Sequence, residues 1–260
     1  MKKEQLKISA VQYQPLWHQA EKNRERLSEM LADLDSNDSD IIVLSEMFTT
    51  GFSMDASQAE APDGPSVQWM IDLAAKKQAA VCGSLIIKDG SAFYNRLYWV
   101  KPDGAISTYN KRHLFNYAGE GEVYTAGSER LIVDFLGWRI CPLVCYDLRF
   151  PVWSRNNGQY DLLIYVANWP TPRSLHWKHL LLGRAIENQS YTMGVNIVGT
   201  DGNEHEYKGE TSIIAYDGTI LQQHADTAGI VSATLDKAAQ DQYRQKLPFL
   251  KDGDSFSIEA

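Results

Sequence analysis

Apolar runs of strand length alternate with amphipathic stretches of helix length over the first third of the chain, and hairpins take over after it. Few folds accept that order. Residues 6–13 predict a buried strand, with Ile8, Ala10 and Gln12 alternating against Lys7, Ser9 and Val11. Residues 17–35 predict a helix, with Leu27, Met30, Leu31 and Leu34 at helical spacing. Residues 41–44 form a short β-branched strand pattern, and residues 65–79 a second helix with Val67, Met70, Ile71 and Ala74 on one face. Strands are predicted next at 80–87, 93–101 and 106–109, the last two joined by the turn Pro102-Asp103-Gly104. Residues 130–135 and 138–144 pair around Leu136-Gly137. A strand at 162–166, a helix at 174–189 and a strand at 191–198 follow. Residues 211–216 and 219–224 flank Asp217-Gly218, a hairpin turn, before a last strand at 229–234 and a last helix at 235–245. This order predicts an α/β layered protein with a mixed sheet. The strands are too many for one sheet, so two packed sheets with helices outside are expected. No fixed-period repeat, low-complexity tract or Pro/Gly/Ser linker interrupts the chain, which predicts a single domain over residues 1–260.

A net charge of −8 argues against nucleic acid or an anionic membrane as the main partner, although a few cations converging in one pocket could still hold an anionic small molecule. No apolar run approaches the roughly 18 residues of a membrane span. The start, Met1-Lys2-Lys3-Glu4-Gln5, lacks the apolar stretch of a signal peptide. The three cysteines, Cys82, Cys141 and Cys145, are too few and odd in number for a disulfide framework. A cytoplasmic location, reducing enough to keep a thiol free, is expected.

Three strand ends carry chemistry. Cys145 closes the apolar run Ile140-Cys141-Pro142-Leu143-Val144 and opens the polar stretch Tyr146-Asp147-Leu148-Arg149, a layout that exposes a nucleophile at a strand-to-helix turn. Glu46 follows residues 41–44 with one serine between, where ligand sites collect in open α/β sheets. Lys111 follows residues 106–109 in the same way. Singly, each also fits an ordinary role: a buried small residue, a loop acid, an exposed lysine. Cys82 and Cys141, inside strand runs, keep that ordinary role. His176 and His179 lie three apart on a predicted helix but lack the third and fourth ligands a zinc site needs, so neither a metal nor a cofactor is expected.

Together the segments resemble a known family. Leu44-Ser45-Glu46-Met47-Phe48-Thr49-Thr50-Gly51-Phe52, Tyr109-Asn110-Lys111-Arg112-His113-Leu114-Phe115 and Leu143-Val144-Cys145-Tyr146-Asp147-Leu148-Arg149-Phe150-Pro151 are similar, in order and separation, to the three catalytic segments of the carbon–nitrogen hydrolase (nitrilase) superfamily. Ala10-Val11-Gln12 and Arg184-Ala185-Ile186-Glu187-Asn188 add to the likeness, which spans essentially the whole chain. The resemblance implies a nitrilase-like αββα sandwich, two mixed sheets flanked by helices. It also implies a homodimer or higher homo-oligomer, and a second catalytic glutamate after the lysine loop. Glu120 and Glu122 both stand there; Glu120, four residues before Tyr124, matches the family placement.

The chemistry implied is cysteine-dependent amide hydrolysis. Cys145 attacks as a thiolate, favoured by the Lys111 charge. Lys111 and the Tyr146 backbone N–H hold the oxyanion. Glu46 moves the proton and then activates water on the thioester, and Glu120 orders Lys111 or the substrate. Asn168-Trp169-Pro170 followed by Arg173-Ser174-Leu175-His176-Trp177 resembles the omega-amidase branch, which acts on 2-oxoglutaramate. Such a substrate keeps a carboxylate, for which Arg173 is the first candidate; Arg149 and Arg184 are expected to pair with acids such as Asp147 or Glu187. Phe52, Phe115, Tyr146 and Trp169 are candidate pocket walls. The alternatives are another hydrolase of the superfamily (a nitrilase, a carbamoyl amino-acid hydrolase or an aliphatic amidase) and, more remotely, a binding module on the same scaffold.

Overall fold

The computed structural model describes residues 2–258. The chain starts with β1 (Gln5–Gln12), α1 (Ala20–Met30), β2 (Ile41–Val43), α2 (Pro65–Lys77) and β3 (Ala80–Asp89) in strict alternation, then β4 (Ala92–Val100) and β5 (Ile106–Asn110). After the short α3 (Glu120–Val123) come β6 (Val133–Phe135), β7 (Trp138–Val144), the short α4 (Pro151–Ser154), β8 (Leu162–Val166), α5 (Ser174–Asn188) and β9 (Tyr191–Val195). The chain then forms β10 (Val198–Thr200), β11 (Glu206–Ile214), β12 (Ile220–Ala225), β13 (Gly229–Asp236) and α6 (Lys237–Lys246).

The strands build two mixed sheets. One has the order β13-β1-β2-β3-β4-β5, the other β10-β11-β9-β8-β7-β6 with β12 on β11. The parallel pairs, β1–β2–β3 in one sheet and β7–β8–β9 in the other, occupy the centres. Strands covered on both faces read as continuous apolar runs, which is why residues 41–44 show no alternation. Ile41 and Val43 join the core between the sheets. Ile42 and Leu44 point the other way, into a cluster with Leu27 and Leu31 of the first helical region and Val67, Met70 and Leu73 of α2. On the opposite side α5 lays Trp177, Leu181 and Ala185 against the second sheet. The layers are therefore α–β–β–α, as the family resemblance implied.

Several boundaries differ from the sequence pattern, each for a local reason. The helix expected over 17–35 is α1 alone. At its C-terminal side the buried Lys77 ammonium donates to the carbonyls of Leu31 and Leu34 at 2.5 Å and Ala32 at 3.3 Å, satisfying groups that further helix would have used. The strand expected over 191–198 breaks at Asn196, whose side chain bonds Trp169 and Gly209 instead of following the ladder. β11 starts earlier than residue 211 because residues 206–208 pair with β10, and a bulge at Gly209–Thr211 then carries the strand on into its pairing with β12. Asp236 ends β13 and caps α6 by accepting from the Ala239 N–H at 2.9 Å, so the last helix starts two residues late.

Candidate active site

The C-terminal ends of β2 and β5 in one sheet and of β7 and β8 in the other converge on one point. Glu46 follows β2, Lys111 follows β5, Cys145 follows β7 and Asn168 follows β8. The junction between sheets is itself hydrogen-bonded. The Asn168 backbone N–H donates to Glu46 Oε2 at 3.0 Å, and Asn168 Nδ2 donates to the Glu46 carbonyl at 2.7 Å.

Lys111 lies at the centre of a buried charge cluster. Its Nζ donates to Glu46 Oε1 at 2.8 Å and to Glu120 Oε1 and Oε2 at 3.0 and 2.8 Å, with all three side chains out of contact with solvent. Burial opposes the ammonium charge, but the Glu120 and Glu46 carboxylates outweigh it and hold Lys111 protonated. Burial pushes the Glu120 carboxyl up, against the pull of Lys111 and with the push of Glu46. Glu120 also accepts from the Phe115 backbone N–H at 2.5 Å, which fixes the loop after Lys111. Glu122 is exposed on the same turn.

Cys145 has a backbone φ of 41°, in the left-handed region, and opens a 3₁₀ turn over Cys145–Arg149. That conformation costs a residue with a Cβ about 1–2 kcal/mol, and the surroundings hold it. The buried Asp147 carboxylate accepts from the Val144 N–H at 3.0 Å, the His113 N–H at 3.0 Å and the Tyr109 hydroxyl at 2.8 Å, while His113 Nδ1 lies 2.8 Å away. The His113 ring stacks on Phe150 with centroids 3.7 Å apart. The turn carrying the thiol is thereby tied to the loop carrying Lys111. The first N–H groups of such a turn have no partner within it, and the Tyr146 N–H beside Cys145 is one of them.

Burial pushes Cys145 well above the ordinary thiol range, the Glu46 carboxylate adds to the push, and Lys111 opposes it without prevailing. Lys111 pulls toward the thiolate, as expected, but burial and the Glu46 charge outweigh it. Cys145 Sγ faces the Asn168 carbonyl at 3.9 Å.

A cavity of about 640 Å³ opens over Cys145 and Lys111. Phe52, Phe115, Tyr146, Trp169 and Arg173 all line it. The Arg173 guanidinium lies 5.2 Å over the Phe115 ring, the Trp169 indole N–H donates to the Arg173 carbonyl at 2.8 Å, and Lys111 Nζ is 5.2 Å from the Phe52 ring. Arg184 pairs with Glu187 at 2.9 Å, as expected. Arg149 does not pair with Asp147. The Asp147 carboxylate points into its knot of backbone and ring donors, and Arg149 turns to the cavity, 4.7 Å over Trp169, with His176 Nδ1 at 3.2 Å. No group of three or more metal-ligating side chains occurs among the described residues.

From the sequence, Asn95, Ser84 and Asn168 have no role of their own, and Asp147 only that of an ion-pair partner for arginine. For two of them a signal existed. Ser84 continues the core-facing parity of Ala80 and Cys82, and Asn95 that of Leu97 and Trp99, so each is a polar group on a buried strand face.

The family model for carbon–nitrogen hydrolases matches residues 7–245. The chain belongs to the carbon–nitrogen hydrolase family. Among members of this family, the omega-amidase YafV of Escherichia coli K12 is 45% identical over 254 residues, covering 97% of this chain and 98% of that protein. The 2-oxoglutaramate amidase of Bacillus subtilis is 33% identical over 251 residues, covering 94% and 96%. A CN-hydrolase superfamily protein from Xanthomonas campestris, solved with an arsenic adduct in its active site, is 42% identical, covers 99% of this chain and 100% of its own, and superposes with a TM-score of 0.97.

As a carbon–nitrogen hydrolase with three thiols in three environments, the protein offers a direct check. Cys82 and Cys141 are fully buried, and burial alone pushes Cys82 above the thiol range, while burial with smaller opposing charges pushes Cys141 up to about 12. Only Cys145 reaches the cavity. Iodoacetamide on the folded protein is expected to label Cys145 well before either other cysteine; peptide mapping that finds Cys82 or Cys141 labelled equally fast would contradict the site.

Proposed function

We propose that this chain is a cysteine-dependent amidohydrolase that cleaves the terminal amide of 2-oxo dicarboxylic acid monoamides, 2-oxoglutaramate first among them, releasing ammonia. The observation that carries the reading is the cavity itself: a thiol and an ammonium on its floor, and two guanidiniums on its aromatic walls. The names omega-amidase and 2-oxoglutaramate amidase, borne by relatives aligned over nearly the whole chain, support it.

In the first half-reaction the Cys145 sulfur attacks the amide carbon and its proton passes to Glu46. The oxyanion accepts from Lys111 Nζ and the Tyr146 N–H, donors worth about 3–4 kcal/mol each in a site of this kind. The tetrahedral adduct collapses with breakage of the C–N bond, Glu46 returns the proton to nitrogen, ammonia leaves, and an acyl thioester remains on Cys145. In the second, Glu46 takes a proton from water, the hydroxide oxygen attacks the thioester, the C–S bond breaks as Glu46 returns that proton to sulfur, and the acid product leaves and ionises to its carboxylate. Glu120 holds Lys111 and the Phe115 loop in place throughout. No cofactor enters the scheme. Homo-oligomeric assembly and a reducing, cytoplasmic setting belong to the same reading.

The remaining carboxylate of the substrate needs a cation. Lys111 is committed to two glutamates, and the Arg173 guanidinium has no carboxylate partner among the described residues. Arg173→Ala is expected to raise KM for 2-oxoglutaramate about tenfold or more, a charge-assisted contact being worth about 1.5–3 kcal/mol. Turnover of an uncharged aliphatic amide should change little. An unchanged KM would move the carboxylate to Arg149. The reading as a whole is tested by ammonia release from 2-oxoglutaramate against a simple nitrile, a carbamoyl amino acid and glutamine. Preference for another member of this panel would keep the thiol chemistry and replace the substrate.

A further inference from the structure

Asn95 is buried on β4 and does two things at once. Its Nδ2 donates to Glu46 Oε1 at 2.8 Å and to Glu120 Oε1 at 3.0 Å. An amide can face two carboxylates only with its NH2 group, and something must prevent it from turning over. The rest of the chain of hydrogen bonds supplies that. The Met47 backbone N–H, which can only donate, meets Ser84 Oγ at 2.9 Å. The Ser84 hydroxyl accepts there, so its own hydrogen goes to Asn95 Oδ1, 2.8 Å away. With its oxygen occupied by that donor, the amide presents both N–H bonds to the two glutamates. Met47 is the residue after Glu46 and sits at a φ of 43°, so the relay begins and ends on the same loop.

The consequence concerns which oxygen of Glu46 does chemistry. Oε1 receives two donors, Lys111 Nζ and Asn95 Nδ2. Oε2 receives the Asn168 backbone N–H at 3.0 Å and only a long contact from Asn168 Nδ2 at 3.4 Å. A proton arriving from Cys145 is therefore taken on Oε2, the oxygen with room for it, while Oε1 stays anchored.

We propose that Asn95 is a positioning residue for the general base, locked in one orientation by Ser84 and Met47, and that this lock holds Glu46 with Oε2 as its proton-accepting oxygen. The inference rests on the thiol–carboxylate chemistry proposed above and concerns neither the substrate nor the pocket walls.

Asn95→Asp tests it with almost no change of shape. The aspartate keeps an acceptor for Ser84 but replaces the NH2 group by an oxygen facing two carboxylates, so the cluster binds an extra proton until the pH is raised. Activity at neutral pH is expected to fall about 100-fold, the scale of general acid–base assistance. The acid limb of kcat/KM is expected to move up by about one pH unit or more. The same shift should appear in the pH dependence of Cys145 alkylation by iodoacetamide, which needs no substrate, so a wrong substrate assignment and a wrong role for Asn95 give different results. Ser84→Ala removes the lock and lets the amide turn; it should lower activity about tenfold, as expected for one lost hydrogen bond, and shift the limb in the same direction. A folded Asn95→Asp protein with the parent acid limb in both assays overturns the proposal, and so does a fall in kcat with no shift. If Asn95→Asp does not fold, an unshifted limb in Ser84→Ala overturns it equally.

Discussion

Cys145→Ala is expected to lower ammonia release from 2-oxoglutaramate by at least about four orders of magnitude, since losing a nucleophile that acts as one unit with its base removes nearly all covalent catalysis. The fold should survive. Alanine is smaller than cysteine, tolerates the same backbone, and leaves the Asp147 knot untouched, because that carboxylate holds the backbone of Val144 and the ring and N–H of His113, never the thiol. The melting temperature should therefore stay within a few degrees of the parent, roughly what a change near 1 kcal/mol gives. Cys145→Ser should be nearly as inactive. The burial and the Glu46 charge that already push a thiol up push a hydroxyl still further from ionisation, and a carboxylate base is too weak to take that proton. Ammonia release by a stable Cys145→Ala protein at more than a few per cent of the parent rate would end the thioester scheme.

What the sequence made legible, and what it did not, divides along a physical line. Glu46, Lys111 and Cys145 stand out because each follows a strand end, Glu46 and Cys145 closing apolar runs, and a strand end is a local property. Parallel strands with their C-terminal ends on one edge then bring such positions together without further information. Asn95 and Ser84 depend on which strands pair and at what register: Asn95 lies opposite Ile86, two residues beyond Ser84 on the same face of the β3–β4 ladder. No local pattern contains that register. The sequence offers Asp147 as an acid for Arg149, yet that carboxylate is saturated by Tyr109 of β5, by the ring and N–H of His113 in the loop after it, and by the N–H of Val144 at the end of β7. The helix expected over 17–35 was cut short by a lysine 46 positions away from the carbonyl of Leu31. In each case a long-range polar contact decided between local options that the sequence pattern left nearly equal.

Lys111→Met is expected to damage stability and activity together, and the two losses can be separated. Methionine has similar length but removes the one cation among the described residues that pairs with both Glu46 and Glu120. Breaking a buried ion pair by deleting one partner costs about 3–5 kcal/mol, because the other charge stays buried without compensation. The cluster's response is to bind a proton. A carboxyl whose pKa is raised on folding binds more protons folded than unfolded between the two values, so stability falls as pH rises through that window. Glu120 is already pushed up by burial with Lys111 opposing the push, and the variant removes the opposition. Lys111→Met should therefore be most stable at mildly acidic pH and should lose stability toward neutrality, a slope seen by urea unfolding at several pH values. The combination Lys111→Met with Glu120→Gln restores charge balance to one buried carboxylate and should recover part of the lost stability. It should not recover activity: the oxyanion donor, worth about a hundredfold or more in kcat, is still missing. Recovery of turnover in the double variant would mean that Lys111 only neutralises Glu120. A single Lys111→Met protein as stable as the parent at neutral pH would mean that the two carboxylates share a proton already and that the ammonium is not their counter-charge.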